Sequence, residues 1–441
     1  MRYLLLLLIV FIVSCTENLH EAYSGGETTV FDRSLNAFNK IASNIKEQEK
    51  VLSFNRGNQI FKALWSNDGI SPFQGLGPLH NSNSCNGCHF LGGRGRNRYE
   101  SETIFHSLIF KIKTKDNSLY GLQLQDKSIP EVSPEAVADL RFEEIKGSFP
   151  DGETFSLRKP IYSFLRWAHK PPVDLDFSPR VAPVIYGMGL LSLISEAELQ
   201  TIADPEDKNK DGISGRLNRV FHLKTKQVKI GRFGWKANQP DIEQLIALAL
   251  HEDMGITSRL IPYQNCTEKQ RDCKKAQSFG PEIDPNMFKD LLYYTMLVAV
   301  PAARNVEREE FKEGKHIFKQ LSCDSCHKPK FTTIEDKDFP ELSKQKIRPY
   351  TDLLLHEMGD DLADGYEDGE AKAKEWRTSP LWGIGLYLEV SQHSELLHDG
   401  RARGIQEAIL WHGGEAQKSK ETFMNLPKTE REKLLYFLQS L

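Results

Sequence analysis

Apolar residues in this 441-residue chain fall into stretches of distinct period. Leu4 to Val13 is an unbroken apolar run behind Arg2. A bilayer span takes about 20 apolar residues, so this run reads as the core of an export signal. Four later stretches carry the helical period. "RGNQIFKALW" from Arg56 and "EGKHIFKQL" from Glu313 each set a Gly, an Ile and a Phe on one face. "DPNMFKDLLYYTMLVAVP" has Asp284 as a predicted N-cap, Pro285 in the first turn and Pro301 as its stop. "PKTEREKLLYFLQSL" closes the chain, with Thr429 and Glu432 in a capping-box pattern. "TIFHSLIFKIK" and "LNRVFHLKTKQVKIGRFGW" alternate in part and predict a small β element.

The helical stretches repeat in order. Between each Gly/Phe helix and each Leu-Leu-Tyr helix lies one Cys-x-x-Cys-His motif: Cys85, Cys88 and His89, then Cys323, Cys326 and His327. A loop rich in turn formers, "SNDGISPFQGLGPLHNSNS", separates helix from motif in the first unit. The order resembles the class I cytochrome c fold, whose first and last helices cross where a Gly permits close backbone approach. The expected fold is therefore mainly α. It comprises two cytochrome c-like haem domains, 16–304 and 305–441, behind a signal of residues 1–15, with the first domain enlarged by irregular and small β insertions.

Two thiols three residues apart match the two vinyl groups of one haem, and the next residue, His, reaches the iron from the same side. Zinc would need two more ligands near each motif, and no further Cys pair supplies them. The motifs therefore predict two covalent haems c on Cys85, Cys88, Cys323 and Cys326, with His89 and His327 as proximal ligands. Candidates for the sixth iron ligand are Met254 and Met358, which share an upstream His and Glu and a following Gly, with His356 and His398 as rivals in the second unit. Met188 and Met424 fit core packing better. Four tryptophans, Trp235, Trp376, Trp382 and Trp411, are candidates for electron relay or for packing.

Composition narrows the class. The chain is 39% hydrophobic and 27% charged, ordinary for a globular protein, and a net charge of -4 gives no basic footprint for nucleic acid. Of seven cysteines, Cys15 follows "IVS" in a pattern resembling a bacterial lipobox. That implies cleavage and lipidation at Cys15, and so a lipid anchor on the periplasmic side of a membrane. Cys266 and Cys273 in "NCTEKQRDCKK" are expected to form a short-loop disulfide in an exported protein. Asp207, Asn209 and Asp211, with Asp204 upstream, match the first half of a calcium loop, but Asn218 stands where that loop needs its closing Glu. Calcium and a solvated acidic turn both fit. "GGRGR" brings Arg94 and Arg96 close behind the first motif, where they are candidates for haem propionates or for polarising a bound peroxide.

The stretches "GLGPLHNSNSCNGCH", "YGLQLQDKSIP", "SPRVAPVIYGMGLL", "GRFGWKANQP", "YTDLLLHEMGDDLADG" and "LLHDGRARGIQEAILWHGGEA" resemble the bacterial di-haem oxidoreductase family, described as peroxidases and also as predicted thiol oxidoreductases. The C-terminal part is also similar to di-haem cytochrome c peroxidases. The resemblance implies reduction of a small oxidant such as hydrogen peroxide, with electrons from a redox protein. The first haem would be the reactive centre and the second the electron entry point. His80, Arg94 and Arg96 are the catalytic candidates nearest the first motif. The alternative is a non-catalytic di-haem electron carrier, or a redox accessory to a metal-uptake or maturation system.

Overall fold

Gly57 and Gly314 decide how the helices assemble. In the computed structural model, which describes residues 20–97, 107–115, 119–276 and 280–441, the helices that matter here are α1 (Gln48–Lys62), α2 (Ile242–Met254), α3 (Pro285–Leu297), α4 (Glu309–Gln320), α5 (Ile405–Trp411) and α6 (Lys428–Ser440). A Cβ built on Gly57 would lie 2.1 Å from the Asp290 carbonyl oxygen of α3, and one on Gly314 would lie 2.1 Å from the Lys433 carbonyl oxygen of α6. Each Gly/Phe helix thus meets its closing helix backbone to backbone. The phenylalanines follow suit. Phe61 packs on Tyr294 at 5.1 Å and Phe318 on Phe437 at 5.4 Å, measured between ring centroids.

Caps set the helix limits. The Asp284 carboxylate accepts the Asn286 N–H at 2.8 Å at the start of α3, as its sequence position predicts. The capping box at Thr429 does not form. Pro427 takes the N-cap position of α6 without a side-chain bond, which places Thr429 inside the first turn. α2 ends at Gly255, whose φ of +64° suits glycine.

The expectation of a mainly α chain is overturned, because helix accounts for 33% and strand for 18%. The described strands pair into six two-stranded sheets. Strand β1 (Leu108–Thr114) pairs antiparallel with β4 (Leu175–Val181), and β2 (Val137–Ser148) with β3 (Thr154–Leu165) in a separate long ribbon, which exceeds the small β element predicted. The ribbon escapes a sequence reading for a physical reason. Only the start of β2 alternates between buried and exposed positions, and its second half faces solvent. Without a buried face there is no period-two signal to read. A short pair, β5 (Leu355–Glu357) and β6 (Glu375–Arg377), sets His356 opposite Trp376.

One hydrophobic cluster takes in Phe54, Tyr294, Trp235, Phe318 and Phe437, so both helix pairs share a core. Charged pairs tie the insertion to the C-terminal half: Arg158–Glu395 at 2.8 Å, Arg180–Asp368 at 2.8 Å and the fully buried Lys236–Asp364 at 3.0 Å. Lys236 also donates to the carbonyls of Tyr366, Lys372 and Ala373, so its buried charge is fully partnered. No helix among the described residues is long and apolar enough to cross a membrane. The expected signal segment and Cys15 lie outside the described residues.

Candidate functional site

Each Cys-x-x-Cys-His motif opens onto a cavity. Cys85, Cys88 and His89 line one of about 420 Å³, together with Met188 and Met254. Cys323, Cys326 and His327 line one of about 210 Å³, together with Met358, His356, His398 and His412. Six residues line both cavities: Arg94, Trp235, Arg377, Ser379, Pro380 and Tyr387. The two cavities therefore share one wall.

The histidines are oriented alike. His89 Nδ1–H donates to the Pro183 carbonyl at 2.7 Å, and His327 Nδ1–H donates to the Tyr350 carbonyl at 2.9 Å. A carbonyl can only accept, so each bond fixes the tautomer and leaves Nε2 with its lone pair. Burial pushes both imidazoles down to about 4, which keeps them neutral. Phe61 and Phe318 stand beside them at ring distances of 6.0 and 6.3 Å.

The four motif thiols carry no disulfide. Burial pushes Cys85, Cys88 and Cys323 up to about 12. With no metal beside them, such thiols are protonated at neutral pH. Two neutral thiols, an apolar cavity and an imidazole with a prepared lone pair fit a haem held by thioether links and one axial nitrogen. The other cysteine pair, Cys266 and Cys273, is joined in a disulfide spanning seven positions.

The polar lining differs between the cavities. In the larger one, Asp253 at the end of α2 accepts a hydrogen bond from the Gln123 amide at 2.7 Å. Burial raises its carboxyl to about 6, against that bond. Lys111 lies 3.9 Å from Glu252, and Arg180 pairs with Asp368, all in the same lining. Asp253, Gln123 and Arg180 were not singled out by sequence reasoning. Asp253 directly precedes Met254 in "HEDMG", so its motif was in view while its role was not.

The remaining candidates separate. His80 lines neither cavity, and its Nδ1 bonds the Gly77 carbonyl at 3.2 Å. Arg96 lines neither as well. Arg94 is buried in the shared wall, where its Nε donates to the Glu395 carbonyl at 2.9 Å and its Nη2 to the Leu397 carbonyl. Those bonds use two of the five guanidinium N–H groups, and the group stacks over Trp235. His356 is engaged through both ring nitrogens, by Glu415 at 2.6 Å and Asp352 at 2.9 Å. His398 stacks on Trp376 at 3.7 Å and 8°. Met254 is buried and Met358 half-buried in their respective linings. In the acidic loop, Asp204 accepts from the Lys208 N–H and Asp207 from the Asp211 N–H, each at 3.0 Å, while the Asn209 amide donates to Asp211. These oxygens are turned onto the loop's own backbone. Among the described residues, a compact group of three metal-type donors occurs at Cys326, Asp352 and His356.

Comparison with known proteins gives a family. Residues 18–107 and 122–441 match the family described as "Di-haem oxidoreductase, putative peroxidase". No curated protein matches the chain. Among solved structures, hydrazine synthase from Kuenenia stuttgartiensis, pressurised with xenon, aligns over 92% of this chain and 91% of its own. Its identity is 13% and its TM-score 0.36.

Proposed function

Since the chain belongs to the di-haem oxidoreductase family, we propose that it is an exported, lipid-anchored enzyme on the periplasmic side of a bacterial membrane, with two covalently attached haems c, that reduces hydrogen peroxide. A redox protein supplies the electrons: H₂O₂ takes two electrons and two protons and leaves as two waters. The observation that carries this reading is the shared wall. Two cavities, each with the same thiol and imidazole set, meet at Arg94, Trp235, Arg377 and Tyr387.

Bound haem supplies an iron that exchanges electrons with the oxidant. The chain's own residues do the rest. His89 and His327 present Nε2 because Pro183 and Tyr350 hold the opposite nitrogen. In the larger cavity, Asp253 takes a proton from one peroxide oxygen and returns it to the other as the O–O bond breaks. Burial suits it to both roles by holding its carboxyl nearer neutrality than a free Asp. Gln123 fixes the carboxylate in place. The smaller cavity contains none of these carboxylates and serves as the electron entry. Trp235, with its Nε1–H on the Val181 carbonyl at 2.8 Å, and Tyr387 are the aromatic rings in the wall between them.

Export accords with the apolar run at Leu4 to Val13, with Cys15 behind it, and with a disulfide at Cys266–Cys273. The test is oxidation of a reduced cytochrome donor by hydrogen peroxide, alongside the spectrum of the oxidised protein. A high-spin haem and peroxide-dependent donor oxidation support the enzyme. Two low-spin haems inert to peroxide identify a carrier instead.

A further inference from the structure

We propose that His412 is the second axial ligand of the iron held by His327, and that His356 is the positioning residue that sets it there. The inference rests on haem attachment at Cys323 and Cys326 as read above. His412 lines the same cavity as His327. It also carries the same orienting device. Its Nδ1–H donates to the Ala408 carbonyl at 2.6 Å, one turn back at the end of α5. Nε2 of His412 and of His327 has no hydrogen-bond partner among the described residues. A matched pair of prepared imidazoles in one cavity is the donor set of a six-coordinate iron.

The rival histidines are unavailable. A ligand must offer a lone pair, and both His356 nitrogens already face carboxylates. Nε2 of His398 is buried without a hydrogen-bond partner, 3.8 Å from the Asp399 carboxylate, and the ring stacks on Trp376.

What His356 does instead is hold the loop that carries His412. Glu415 receives His356 Nδ1 at 2.6 Å and the Ser214 hydroxyl at 2.7 Å, and Asp352 holds the far side of the imidazole at 2.9 Å. Between His412 and Glu415 the chain passes so near β5 that a Cβ on Gly414, at φ +54°, would lie 2.3 Å from the Glu357 carbonyl. The segments "HEMG" and "HGGE" are thus docked as a unit, with Met358 beside Gly413. Met358 is the one remaining competitor for the iron in this cavity.

The test uses the full mature chain, made in a host that attaches haem c, with ferric absorption and electron paramagnetic resonance on His412→Ala, His412→Met, Met358→Leu and His356→Gln. His412→Ala should turn one of the two haems high-spin. His412→Met should add the weak far-red band of a sulfur–iron bond. Met358→Leu should leave that haem unchanged, and His356→Gln should give it a mixture of spin states that adding His412→Ala turns wholly high-spin. If His412→Ala fails to fold, His412→Met gives the same decision: a new sulfur–iron band supports the assignment, and an unchanged spectrum overturns it. A high-spin haem in Met358→Leu also overturns it. Denatured mass separates the two levels, because a chain without covalent haem defeats the reading of the family site and not the choice of ligand.

Discussion

The Arg94 guanidinium lies 4.9 Å from the ring centroid of Trp235, and both side chains line both cavities. Arg94 is anchored from the C-terminal half, through the carbonyls of Glu395 and Leu397. Trp235 is anchored from the insertion, through the carbonyl of Val181. The wall is therefore built by residues distant in the chain and held at both ends. Trp235→Phe keeps the packing but loses the indole and its bond. The expected outcome is slower electron transfer between the sites at unchanged haem content, read by stopped-flow reduction of the two haems. An unaltered rate would remove Trp235 from the path.

Asp253 is the carboxylate placed to move protons in the larger cavity. Asp253→Asn retains size and the contact with Gln123 but cannot take a proton. Peroxide turnover should fall by roughly 10²-fold, as for loss of a general acid–base group. The haem spectrum and the mass should not change. Turnover within twofold of the parent would transfer the role elsewhere.

His393 makes the stability of the shared wall depend on pH. Its Nε2–H donates to the Arg94 carbonyl at 2.9 Å, and its Nδ1 accepts the Glu395 N–H at 3.2 Å. Only the neutral ring satisfies both. Burial accordingly lowers it to about 4. In the unfolded chain the same group titrates near 6.5. Above that pH both states are neutral and nothing is lost. Between about 6.5 and 4 the unfolded state takes up the proton and the folded state does not, so stability falls with pH. The loss is on the order of 3 kcal/mol when complete. Urea midpoints at pH 7 and pH 4.5 should fall further apart in the parent than in His393→Gln.

The glycine crossings predict the cost of one methyl group. Gly314→Ala must push α4 off α6, because the new Cβ meets the Lys433 carbonyl. Overpacking of this kind costs about 1 to 3 kcal/mol. Gly57→Ala should cost a similar amount at α1 and α3. Gly365→Ala, at an exposed turn where a Cβ meets nothing within 4 Å, serves as the control for added bulk, although its φ of +74° carries a backbone penalty of its own. Denaturant unfolding distinguishes them.

These crossings were legible because the signal is local: a Gly, an Ile and a Phe within one turn or two, repeated before each motif. The thiol and imidazole sets were legible for the same reason. The lining of the larger cavity was not. Asp253, Gln123 and Arg180 meet from α2, a loop and β4, and nothing in their own neighbourhoods marks the meeting. His356 looked like a ligand by its place in "LLLHEMG", but the distant Glu415 consumes it. The β2–β3 ribbon stayed hidden because much of it has no buried face.

Covalent haem at both motifs is what the proposed function requires. The direct measurement is the mass of the mature protein, made in a host able to attach haem c and weighed under denaturing conditions. The expected mass is the polypeptide with its lipid plus two haems. Cys85→Ser/Cys88→Ser and Cys323→Ser/Cys326→Ser should each lack one. A parent mass equal to the lipidated polypeptide alone, or pigment that extracts into acid–organic solvent, would contradict it.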